Sequence, residues 1–137
     1  MEVDLNSQNV IFRYSSPLKT LYKEGKIPSV KYGFYGDRLS PSTVSLEHLQ
    51  AKSKGGKSCL SNYVLASKRN NWLRGNDDIR EHFDSKSAAR YLDQFLKVDL
   101  KRLHGLKYIG MILNTLSKLG IDVSFYNLES KLLDVNG

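Results

Sequence analysis

Four side chains in the middle of this 137-residue chain have the types and spacing to do hydrolytic chemistry on a phosphodiester. Glu47 and His48 are adjacent, Asn62 lies 14 residues after His48, and Asn71 lies 23 residues after it. Cutting a phosphodiester takes a water made nucleophilic, neutralisation of the charge that builds on phosphorus, and help for the leaving oxygen. A neutral imidazole, with an ordinary pKa of about 6.5, suits the proton transfer. One carboxylate and one amide oxygen can hold a hard divalent ion while leaving places for phosphate and water. His48 fits the base, Glu47 and Asn71 the ligands, and Asn62 the task of fixing the imidazole's tautomer and orientation. Asn70 leaves the ligand assignment open by one residue, and Asn71 is preferred for its 9-residue separation from Asn62.

Local signals place these residues on short elements. Thr43 to Leu49 alternates polar and apolar residues after Pro41 and reads as a strand. Lys52 to Ser61 is polar, basic and broken by Gly55-Gly56, hence a loop. Tyr63 to Ala66 reads as a second strand, and Ser67 caps a two-turn helix that stops at Gly75. In a regular strand Glu47 and His48 point to opposite faces, so joint action predicts irregular backbone near 48–50.

Composition narrows the partners. Twenty-one Lys+Arg against 14 Asp+Glu give a net charge of +7, which favours a polyanion. Between His48 and Gly75 stand Lys52, Lys54, Lys57, Lys68, Arg69 and Arg74 and no acid, a patch expected to bind nucleic acid. Lys68 and Arg69 open the short helix, where the backbone dipole disfavours cations, as if serving bound phosphate. A single cysteine, Cys59, excludes an internal disulfide and a cysteine-built zinc site. No apolar run approaches the roughly 20 residues of a membrane span, and the polar start Met1–Asn6 is no signal peptide. An intracellular, cytoplasmic protein with no membrane partner is expected.

The ordered set resembles the HNH endonucleases. It is carried by Ser45-Leu46-Glu47-His48-Leu49, Ser53-Lys54-Gly55-Gly56, Asn62-Tyr63-Val64-Leu65-Ala66 and Asn70-Asn71-Trp72-Leu73-Arg74-Gly75. The spacing is similar to that of zinc-free phage HNH enzymes and of the HNH domain of CRISPR effector nucleases. The resemblance implies a ββα-metal motif, Mg²⁺ or Mn²⁺ without structural zinc, and DNA as partner, with RNA also open. It further implies 5′-phosphate and 3′-hydroxyl products and a phage or mobile-element setting. Glu47 departs from the family's usual Asp or His, which motivates the alternative of a weak or inactive scaffold that binds nucleic acid or a host protein.

Other residues read more plainly. His82 and His104 look like surface residues, Cys59 like half-buried filler, and Trp72, Leu73 and the Tyr32–Tyr35 aromatics like core. Residues 17–24 form an amphipathic helix between a Ser16 cap and Gly25, and Ile27-Pro28 forces extended chain. Ala88, Tyr91, Leu92 and Phe95 make one helical stripe. Leu100–Leu119 supplies one or two helices, broken at Gly105 or Gly110, and Val123, Phe125 and Leu128 pack back on the domain. These C-terminal helices are either the body that supports a thin motif or a homodimer face. The expectation is one α+β domain over 1–137: an N-terminal helix, a ββα-metal core at 40–76 and a helical region at 77–137.

Overall fold

The computed structural model describes residues 17–136; the Ser16 cap and the Met1–Asn6 reading lie outside them. Over the described residues the fold is mixed α+β, with five α-helices and two small antiparallel sheets. Helix α1 (Pro17–Lys23) ends at Gly25, whose φ of 73° lies in the left-handed region that glycine adopts freely. It buries Leu18 and Leu21. Strands β1 (Val44–His48) and β2 (Tyr63–Ser67) pair antiparallel from Val44↔Ser67 to His48↔Tyr63. Helix α2 (Lys68–Arg74) follows β2 without a linker, and the Ser67 hydroxyl accepts from the Asn70 N–H at 3.1 Å.

The other half is the body that carries this thin unit. Helix α3 (Ser85–Asp93) buries Ala88, Tyr91 and Leu92, and Phe95 follows them into the core. A hairpin of two-residue strands, β3 (Asp99–Leu100) and β4 (Leu103–His104), leads into α4 (Gly105–Lys118). The hairpin is absent from the sequence reading, since two residues show no periodicity. Helix α4 runs unbroken through Gly110 and starts at Gly105, where a Cβ would stand 1.8 Å from the Phe95 carbonyl oxygen. Tyr108, Ile109, Ile112 and Leu116 are fully buried, so this apolar stripe is used within the chain. Helix α5 (Leu128–Asn136) closes the fold, with Val123, Phe125 and Leu128 packed on the core.

A two-stranded ribbon leaves backbone groups open along its edges. The body closes those of β2. The Phe34 N–H donates to the Leu65 carbonyl at 2.9 Å, and the Leu65 N–H donates to the Tyr91 hydroxyl at 3.0 Å. The Tyr108 hydroxyl donates to the Tyr63 carbonyl at 2.7 Å and lies 2.8 Å from the Tyr91 hydroxyl. Proton order is thereby fixed: Tyr91 accepts from Leu65 and donates to Tyr108, which donates to Tyr63. Two fully buried tyrosines are thus fully bonded, and burial raises both phenol pKa values.

Candidate functional site

The site is built on β1, the loop behind it and α2. Helix α2 lies on the ribbon face that carries Ser45 and Glu47: the Asn71 Nδ2 donates to the Ser45 hydroxyl and to the Leu46 carbonyl, each at 3.0 Å. A carbonyl can only accept, so the atom facing Leu46 must be the amide nitrogen and Oδ1 is turned elsewhere. Asn71 is therefore held by its donor end with its ligand-capable oxygen uncommitted. Asn70 instead lines a cavity of about 430 Å³ with Tyr35, Leu73 and His82.

Glu47 shares that face and is buried at 4% exposure. Its carboxylate accepts from the Tyr35 hydroxyl at 2.8 Å and stands 3.5 Å from the Arg74 guanidinium. Burial pushes the Glu47 pKa up, opposed by the Tyr35 hydrogen bond and then by Arg74. Tyr35 is raised in turn, chiefly by burial and then by the Glu47 charge. Tyr35 is a site residue that the sequence reading did not separate from the core aromatics. Its only sequence signal is its place in the aromatic run beside Gly36.

Arg74, expected among the phosphate-binding cations, is buried and so is not available to bind phosphate. It is 2% exposed, and its guanidinium donates to the carbonyls of His48, Leu49 and Asp77. The His48 and Leu49 carbonyls lie where β1 ends and the chain bends away, so Arg74 supplies the donors that a continuing strand would have supplied. Strand β1 does stop at His48, with bends at 49 and 50, as joint use of Glu47 and His48 predicts. The two side chains nonetheless serve opposite faces. The His48 ring packs edge-on against Tyr63, with centroids 4.9 Å apart, and Nε2 is 3.4 Å from the Ser58 hydroxyl. Burial first, then the charges of Lys52 and Arg74, hold the His48 pKa below 6.5, so the ring is neutral at pH 7.

Asn62 has a different task from the one expected of it. Its Oδ1 accepts from the Gln50 N–H at 2.9 Å, and its Nδ2 donates to the Gln50 carbonyl at 3.1 Å and the Lys57 carbonyl at 2.9 Å. It clamps the backbone of the loop that follows His48, and no hydrogen bond joins it to the imidazole. Within the same loop a Cβ on Gly56 would meet the Gln50 carbonyl oxygen at 1.8 Å, and Gly55 takes a φ of 90°. The Gly-Gly pair is what lets the loop fold this tightly.

Lys52, Lys54, Lys57, Lys68 and Arg69 are all exposed. Lys52 is close enough to His48 to lower its pKa, so one exposed loop cation neighbours the imidazole. Trp72 and Leu73, expected in the core, face solvent at 79% and 49% exposure. The spacing of Ser67, Asn71 and Arg74 was the available signal: three inward residues at helical intervals leave Trp72 on the outside. His82 is half-buried, with Nε2 2.9 Å from the Asp77 carboxylate, and the His104 Nδ1 accepts from the Lys107 N–H at 3.4 Å as a helix cap. The Cys59 Sγ lies 3.2 Å from the Ser61 hydroxyl.

Among the described residues, no group of three or more His, Cys, Asp and Glu side chains stands together, and no helix is long and apolar enough to cross a membrane. A divalent ion at this site would draw on the Glu47 carboxylate and the Asn71 Oδ1, both hard oxygens on the α2 side of the ribbon. Few protein ligands, with water and phosphate completing the shell, is the arrangement Mg²⁺ accepts. Comparison of the chain with protein-family models, with curated proteins and with solved structures finds no match.

Proposed function

We propose that this protein is a metal-dependent endonuclease of the HNH type that hydrolyses DNA phosphodiester bonds. The observation that supports it best is the order of candidate groups along one short ribbon: His48, its pKa held down, at the end of β1, exposed cations in the adjoining loop, and Glu47 with Asn71 on the opposite, helix side. The order strand–loop–strand–helix at 44–74 agrees with the ββα-metal arrangement that the motif spacing implies.

In this reading His48 takes a proton from the attacking water, which its depressed pKa leaves it free to do at neutral pH. The exposed lysines beside it hold the phosphate backbone and neutralise charge. Arg74 and Asn62 do not touch substrate; they fix the backbone from which His48 projects. Glu47 and Asn71 would hold Mg²⁺ or Mn²⁺, which would supply charge stabilisation at the phosphate and the leaving oxygen. The products are 5′-phosphate and 3′-hydroxyl ends, and the working place is the cytoplasm.

One observation favours a second reading. Glu47 is tied to Tyr35 and Arg74 rather than presented to solvent, as suits a scaffold that binds nucleic acid without cutting it. Plasmid nicking separates the two. The endonuclease cuts with Mg²⁺ or Mn²⁺, stops in EDTA, and loses cutting in Asn71→Ala and Glu47→Gln. Salt-sensitive DNA binding with no cutting under any divalent ion would instead establish the scaffold.

A further inference from the structure

The outward face of α2 carries the largest exposed apolar side chain of the described residues, Trp72, at 79% exposure. Lys68 and Arg69 precede it by four and three residues and are exposed, so the three share one stripe, and Leu73 lies beside them at 49% exposure. Opposite this stripe, Asn71 and Arg74 bolt the helix to β1 through hydrogen bonds to Ser45, Leu46, His48 and Leu49. The indole is thus displayed on a fixed platform. Leaving it in water forgoes the stabilisation that burying so large a side chain brings. No acid lies between His48 and Gly75 in the sequence, so the loop before β2 and helix α2 carry their cations with no acid from their own stretch, which favours an anionic partner.

We propose that Trp72 is a base-stacking residue: its indole stacks on a nucleobase of bound nucleic acid while Lys68 and Arg69 grip the flanking phosphates. The pairing of a flat π-surface with cations one helical turn away matches a ligand that itself joins flat bases to regularly spaced anions. This inference rests on nucleic acid being the substrate class, and it adds a contact that recognises bases where the rest of the site recognises backbone.

Trp72 is the only tryptophan, so its fluorescence reports directly on the contact. The protein is titrated in EDTA with a mixed-sequence single-stranded DNA oligonucleotide and, separately, with heparin, a polyanion without bases. Stacking predicts quenching by DNA and little quenching by bound heparin. Trp72→Ala, a change at an exposed position, is expected to weaken DNA binding about 5-fold to 100-fold, with the salt dependence unchanged. Trp72→Phe should recover part of that loss. Equal quenching by heparin, or Trp72→Ala binding DNA as tightly as the parent, overturns the proposal, as does an acidic peptide that quenches where DNA does not. The two readings fail separately. Quenching by DNA without cutting in Mg²⁺ keeps the stacking residue and removes the nuclease; cutting with unaltered affinity in Trp72→Ala does the reverse. Absence of DNA binding removes both.

Discussion

Replacing Asn62 by alanine separates a clamp from a catalytic partner. The side chain is 5% exposed and makes three hydrogen bonds, one from the Gln50 N–H and two to the carbonyls of Gln50 and Lys57. Each is worth about 1 kcal/mol net, and a partner left unsatisfied in the interior costs more. Gln50 is half-buried and Lys57 exposed, so water can reach part of what Asn62 releases. The expected loss is therefore about 3 kcal/mol, near the simple sum. For a domain of this size that lowers Tm by about 10 °C. Asn62→Asp should lose at least as much, because it keeps the acceptor for Gln50 but turns a carboxylate oxygen onto two carbonyls. Thermal unfolding followed by circular dichroism gives the stability, and amide hydrogen exchange at Gln50 reports on the loop itself. Were Asn62 the orienting partner of His48 that its spacing suggests, Asn62→Ala would lose activity and keep its Tm. A Tm within about 2 °C of the parent, with an unchanged Gln50 exchange rate, would refute the clamp.

Other consequences follow from the same contacts. In the proposed mechanism His48 acts as a base only when neutral, so the acid limb of the cleavage rate should have its midpoint below 6.5, and Lys52→Gln should move that midpoint upward. A midpoint at or above 6.5 in the parent contradicts the assigned environment. The same depression makes the fold bind the His48 proton less readily than the unfolded chain does. Its contribution to stability is therefore present above about pH 6.5 and lost as pH falls through the folded-state pKa, so acid titration should destabilise the parent more than His48→Ala. Tyr108→Phe strands the Tyr63 carbonyl and the Tyr91 hydroxyl, which should cost about 2 kcal/mol by urea denaturation; a loss under about 0.5 kcal/mol would mean the chain of hydroxyls does not hold β2.

What could be read from the sequence was whatever local chemistry encodes. Ser67 and Gly75 marked the ends of α2, and the stripe Ala88, Tyr91, Leu92 and Phe95 lies fully buried as its period predicts. Roles that depend on distant backbone were not legible. A basic residue ending a helix reads as surface, yet Arg74 is drawn inward by carbonyls about 25 residues away in the chain, which no spacing rule encodes. Trp72 reads as core by its type, but a helix whose inner face is taken by polar Asn71 and Arg74 must turn its apolar residues outward. Tyr35 and Glu47 meet only because the aromatic loop folds over β1. Tyr91 read only as part of a helical stripe, and nothing in the span Leu100–Leu119 singled out Tyr108, whereas their hydroxyls complete the hydrogen bonding of β2.

The central claim is that His48 is the base of a DNA-cutting site. It is tested most directly by the single-turnover cleavage rate of His48→Ala in Mg²⁺, with DNA affinity measured on the same preparation. The proposed mechanism predicts a rate lower by at least about 100-fold at unchanged affinity. Cleavage at the parent rate would place the chemistry elsewhere in the molecule.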